Sequence, residues 1–190
     1  MKLVIATSLL IATALPATVL AQAQTQTRDA PAMTQPQRMQ KTQQMTAKEF
    51  MTQAWNINNF EIQAGREAQD KAKSAETKDF ARMIVDDHTK MQDELKAATK
   101  NVKGMEWPNK ADAEHSQKLQ QLGAATNFDR DFRTQQIEGH QNAIRLFQDF
   151  AANGDNQELK TWAKNSVAML EKHLQRAEAL VAGVDGLNEV

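Results

Sequence analysis

The 190-residue chain contains no cysteine. That absence excludes disulfides, thiolate catalysis, cysteine metal ligands and a lipid anchor attached through cysteine. An excess of charge is lacking too, with 23 lysines and arginines against 24 acids, and loss of a leader carrying Lys2 barely shifts the balance. No broad electrostatic attraction to nucleic acid is therefore expected. There is no glycine-rich phosphate loop, nucleophile elbow or recognised protease motif. Hydrolase chemistry has no support, and no residue is assigned a catalytic role. Nothing in the sequence supports a sheet.

What is present begins with an apolar leader, MKLVIATSLLIATALPATVLAQAQ. It has one early cation, Lys2, and small residues before cleavage positions after Ala21 or Ala23, the pattern of a secretory signal peptide over residues 1–21. Pro16 breaks the run, which is short for a membrane span, so no transmembrane anchor is expected once the leader is removed. The expected destination is the periplasm or the outer envelope. Residues 22–45 are rich in Gln, Thr, Pro and Met and lack a helical stripe, which predicts a flexible tether. From 46 to 187 the chain turns to helix formers with recurring apolar residues, in a length that suits one domain.

That domain reads as four long helices and a short one. The first starts at Thr46, which has Glu49 at capping-box spacing, and carries the stripe Phe50, Ala54, Ile57, Glu61, Ala64, Ala68, Ala72. After a break near Ser74 the second carries Phe80, Ile84, His88, Met91, Leu95, Ala98. Asn109 to Gly123 reads as a short connecting helix with Asn109 as cap; His115 there is expected at the surface or at a hinge. The third long helix runs from Asn127 to Ala152 with the face Phe132, Gln136, His140, Ala143, Phe147, Phe150. It stops at Asn153-Gly154, a pair suited to a left-handed helix end. The fourth opens with Asp155 and Glu158 at capping-box spacing and carries Leu159, Ala163, Ser166, Leu170, His173, Ala177, Leu180. Short breaks join the first pair and the last pair, and a longer link crosses between them. The fold class is therefore all-α, a ferritin-like four-helix bundle of two antiparallel hairpins with a crossover that contains a short helix.

Each stripe holds one acid or histidine where an apolar side chain is expected. Glu61 lies 13 residues before Ser74 and His88 lies 14 after it, so the two share a height. Measured from Gly154, His140 lies 14 residues before and His173 lies 19 after, an offset of roughly 7 Å at 1.5 Å per residue. One reading is that Glu61, His88, His140 and His173 converge on a transition metal such as Fe, Zn, Mn or Cu, with Met91 and Met169 near the same level. Asp87 is placed to orient an imidazole from behind the ligands. Asp129, on the same helix face as His140, is a second such candidate, although the helix dipole already accounts for an acid in a first turn. The other reading is a satisfied polar core that fixes which helix faces which, without any ligand. A standard di-iron carboxylate site needs Glu three residues before two of the histidines, and Val85, Ile137 and Leu170 stand there instead.

FARMIVDDH at Phe80 to His88, LGAATNFDRDF at Leu122 to Phe132, the following His140, and LEKHLQRAEAL at Leu170 to Leu180 together resemble the bacterial family called domain of unknown function 4142. The resemblance covers about Phe50 to Leu180, and its recurring positions match Glu61, His88, Phe128, Asp129, His140 and His173. It implies a ferritin-like bundle exported to the bacterial envelope and no established reaction or ligand. The family's common label is that of a predicted outer-membrane protein. This chain has no alternating barrel pattern, so a soluble periplasmic or surface-associated location is expected. The function expected is an exported bundle with an internal metal or small-ligand site. The alternatives are a non-enzymatic envelope or stress-related module with an envelope protein partner, and a redox metalloenzyme.

Overall fold

A computed structural model describes residues 44–102, 106–108 and 111–185, with side chains described to 180. The expected signal peptide, all but the last two residues of the tether, and Asn109 lie outside the described residues. Five helices follow in order: α1 (Ala47–Lys71), α2 (Ala75–Ala98), α3 (Ala113–Gly123), α4 (Phe128–Asn153) and α5 (Gln157–Asp185). Among the described residues there is no strand, and no helix is long and apolar enough to cross a membrane.

The helix starts are set by side chains that satisfy free amides. Thr46 and Glu49 form the expected capping box, with Thr46 N donating to Glu49 at 2.9 Å and Glu49 N to Thr46 Oγ1 at 3.3 Å. Ser74 caps α2, Asp112 caps α3 and Asn127 caps α4. Two local expectations are corrected. Leu159 N donates to Asn156 Oδ1 at 2.9 Å, so Asn156 and not Asp155 caps α5; Asp155 Oδ1 instead accepts from Ala47 N at 2.7 Å. Gly154 is not left-handed: its φ is −59°, and the glycine is needed because a Cβ would stand 2.6 Å from the Phe150 ring.

These long-range bonds fix helix direction. Asp155 places the start of α5 beside the start of α1. At the opposite end, Asp129 in the first turn of α4 accepts from Lys73 N and Ser74 N, both at 2.9 Å, in the α1–α2 turn. Hence α2 and α4 run one way and α1 and α5 the other. Neighbours α1/α2, α4/α5, α2/α5 and α1/α4 are all antiparallel, and α3 in the crossover packs on α1 and α4. This is the ferritin-like connectivity of two hairpins and a long link.

The apolar stripes close into two clusters. One, at the α4–α5 turn, is built on Phe50, Phe147, Phe150 and Trp162, with Phe50 and Phe150 stacked at 3.9 Å. The other, at the α1–α2 turn, is built on Phe80, Phe132, Ile84 and Leu122. Burying a side chain of that size contributes about 1.5–3 kcal/mol, so the two clusters hold the bundle from both ends. Between them lies a layer that is polar: Asn58, Glu61, His88, Gln136, His140 and His173, each at most 2% exposed.

The tie between α1 and α5 gives a test. Asp155→Ala strands the part-buried Ala47 amide and is expected to cost about 1–2 kcal/mol in chemical denaturation, whereas Glu158→Ala, at an exposed site, stays within about 0.5 kcal/mol. Equal effects would show that Asp155 does not carry the tie.

Candidate metal centre

Helix geometry explains why the histidines meet. His88 is 13 residues into α2 and His140 is 12 into α4, and both helices start at the same end. His173 reaches the same layer by two corrections to a count along the chain. Residues 154–156 lie outside the helices, so height is counted from Asn153 back to His140 and from Gln157 on to His173, which removes two of the five residues of apparent offset. Side chains also tilt toward their own helix N-terminus, so His140 leans away from the α4–α5 turn while His173 leans toward it. The result is His140 Nε2 3.2 Å from His173 Nδ1. Ring centroids of the three imidazoles stand 5.2 to 5.6 Å apart, and one nitrogen from each lies within 4.8 Å of the other two.

The partners behind the rings set the tautomers. His140 Nδ1 lies 2.8 Å from the Gln136 carbonyl, which only accepts, so Nδ1 carries the proton and Nε2 a lone pair. His88 Nδ1 lies 2.9 Å from Asn58 Oδ1, so the same assignment holds, and its Nε2 is buried with no hydrogen-bond partner. His173 Nε2 donates to Asp87 Oδ2 at 2.9 Å, leaving Nδ1 as its lone pair. Thus Nε2 of His88, Nε2 of His140 and Nδ1 of His173 all present lone pairs to one small volume. Three nitrogens bonded to one ion at ~2.0 Å would be about 3.3–3.5 Å apart. The 3.2 Å between His140 and His173 is close to that separation, and the orphaned His88 nitrogen is what a missing third bond would leave.

Electrostatics keeps all three rings neutral. Burial, followed by the neighbouring imidazoles, holds His88 well below the ordinary histidine range. Burial and then His173 bring His140 to about 3. For His173, burial again pushes down and outweighs the upward pull of the Asp87 carboxylate. Neutral imidazole is the ligand form.

The other expected residues lie elsewhere. Glu61 belongs to the polar layer but not to the histidine group; its Oε2 accepts from Gln136 Nε2 at 2.6 Å. Burial pushes its carboxyl up to about 7, against the opposing pull of Gln136 and Lys118. Asp129 is engaged with the α1–α2 turn, near the start of α4. His115 pairs with Asp112 at 2.8 Å and packs against Phe60. Asn58, which orients His88, is absent from the stripe drawn through Ile57, although Ala54, Asn58 and Glu61 follow the same steps of four and three. It is fully buried, whereas Ile57 is half-buried.

A profile of the family "Domain of unknown function (DUF4142)" matches residues 31–180, and the chain belongs to that family. Among solved structures, CopM in the Cu(II)-bound form is similar with a TM-score of 0.64 at 22% identity, covering 74% of this chain and 98% of that one. CopM in the Cu(I)-bound form gives 0.62 with the same identity and coverage. A DUF305 fragment from Deinococcus radiodurans gives 0.61 at 12% identity, covering 70% and 93%. At these identities the likeness is one of fold. No curated protein sequence matches the chain.

Acidification of the metal-free protein tests the electrostatics. The unfolded imidazoles take up protons below about pH 6.5 more readily than the native rings, whose pKa values are all lowered, so the histidines' contribution is present above that pH and is lost as pH falls. Glu61 works the other way: its contribution is full below 4.5 and is lost as pH rises through about 7. Three groups oppose one, so stability is expected to fall from pH 7 to 5, by about 1.4 kcal/mol per pH unit for each net proton. Glu61→Gln removes the opposing contribution and makes the fall steeper. A flat profile, or a shallower one in the variant, contradicts the assignment.

Proposed function

We propose that this DUF4142 chain is an exported metal-binding bundle that holds one transition-metal ion through His88 Nε2, His140 Nε2 and His173 Nδ1. The observation that carries the proposal is the convergence of three buried lone pairs, one of them without any partner. Asn58, the Gln136 carbonyl and Asp87 serve as outer partners that hold each ring in its ligating tautomer. We assign the group a binding role.

The donor set favours Cu(I) within the group iron, zinc, manganese and copper. All three donors are neutral, and one carboxylate, Asp87, stands behind them. With one carboxylate behind the rings, a monovalent ion leaves little charge uncompensated in this buried layer, whereas a divalent ion calls for a further anion such as a bound hydroxide. Imidazole suits copper, zinc and iron, while manganese prefers carboxylate and water. Support by fold comes from CopM, which has Cu(I)-, Cu(II)- and Ag-bound forms. The leader over residues 1–21 supports export, and copper chemistry fits a chain without thiols outside the cytoplasm.

Competition against a coloured Cu(I) chelator, with thermal unfolding alongside, tests the proposal. Wild type is expected to take one equivalent and, at about 100 times the Kd, to gain about 2.7 kcal/mol of stability. His88→Ala and His140→Ala lose the high-affinity equivalent, while His115→Ala, outside the group, keeps it. No metal-dependent rise in melting temperature for Cu(I), Ag(I) or Zn(II) would make the layer a packing device only.

A further inference from the structure

Glu61 stands outside the histidine group. It lines a cavity of about 340 Å³ between α1, α3 and α4. The residue is 2% exposed, and with Gln136 holding Oε2, no donor among the described residues reaches Oε1. Gly139 lines the same cavity, and a Cβ there would stand 3.4 Å from Oε1, so the missing side chain leaves that oxygen open. A second acceptor belongs to the cavity lining: Gln135 Nε2 donates to the Lys118 carbonyl at 3.4 Å, and Gln135 Oε1 is buried without a partner.

We infer that this cavity binds a small organic cation, a primary alkyl- or arylammonium, whose N–H groups bond Glu61 Oε1 and whose apolar body lies along the cavity wall. Charge supports it. Glu61, Asp112, Glu114 and Glu138 line the cavity against one lysine, Lys118, and that lysine stands 2.7 Å from Glu114. The wall supports an organic ligand and not a bare ion, because Ile57, Phe60 and Leu146 are part of the lining. Among the described residues, the three histidines are the group in which three ligand atoms lie within 4.8 Å, so the cavity's acids form no metal cage. An ammonium also answers the energetic problem at Glu61. A carboxylate forced from water gains most from a charge-assisted donor at the oxygen that lacks one.

Calorimetric titration of the full-length protein at pH 8, where Glu61 is mostly ionised, tests this with n-hexylammonium and with 1-hexanol as the neutral match in shape. Saturable binding of n-hexylammonium at one site is expected, with 1-hexanol at least about tenfold weaker. Glu61→Gln, close in shape, is expected to weaken the ammonium by about tenfold or more. Gly139→Leu, which favours the helix while filling the space over Oε1, is expected to do the same. Equal affinity for the alcohol, undiminished binding in both variants, or no saturable binding of the ammonium overturns the inference.

Discussion

Three imidazole lone pairs facing one another in the middle of an apolar bundle are held there against their own preference. Each would be better solvated, and each repels the other two. They stay because the outward nitrogen of every ring is fixed by a partner that only accepts: Asn58 Oδ1, the Gln136 carbonyl and the Asp87 carboxylate. The helices cannot slide to relieve the conflict. Asp155 ties α5 to α1 at one end, and Asp129 ties α4 to the α1–α2 turn at the other. Two aromatic clusters close the bundle above and below the layer. On the proposed reading, the cost of an unpartnered nitrogen at His88 is recovered when a cation accepts all three lone pairs.

Within that one layer two chemistries separate. The rings point to the centre, among α2, α4 and α5, and carry no charge. Glu61 on α1 turns toward α3 and α4, where acids outnumber cations and a cavity reaches it. Gln136 is the hinge between the two, donating its side-chain amide to Glu61 while its backbone carbonyl holds His140. One residue therefore supports both the proposed metal centre and the proposed carboxylate pocket.

Much of this was legible along the chain because helical period is a strong signal. Four apolar stripes, each carrying one acid or histidine among Glu61, His88, His140 and His173, mark the helices, the inward faces and the existence of a polar layer. What the stripes do not carry is the rotation of a helix by a fraction of a turn. Ala54 to Ile57 and Ala54 to Asn58 are both legitimate steps, and only packing decided for Asn58. Height counts treat turns as helix, which put His173 too far from His140 until the non-helical residues 154–156 are left out and the opposite tilts of the two side chains are included. The roles of Asp155 and Asp129 depended on amides over 50 residues distant, for which local capping rules offered a nearer and incorrect use in the first case. Glu61 matched the histidines in height but not in direction.

The central claim is that the outer partners fix three neutral rings with their lone pairs inward. Nitrogen-15 NMR of the histidine rings in metal-free protein at pH 7 reads this directly. The account predicts a proton on Nδ1 of His88 and of His140 and on Nε2 of His173, with no ring doubly protonated. A proton on Nε2 of His88 or His140, or an imidazolium at His173 bridging His140 and Asp87, would contradict it and leave a closed polar network in place of a metal site.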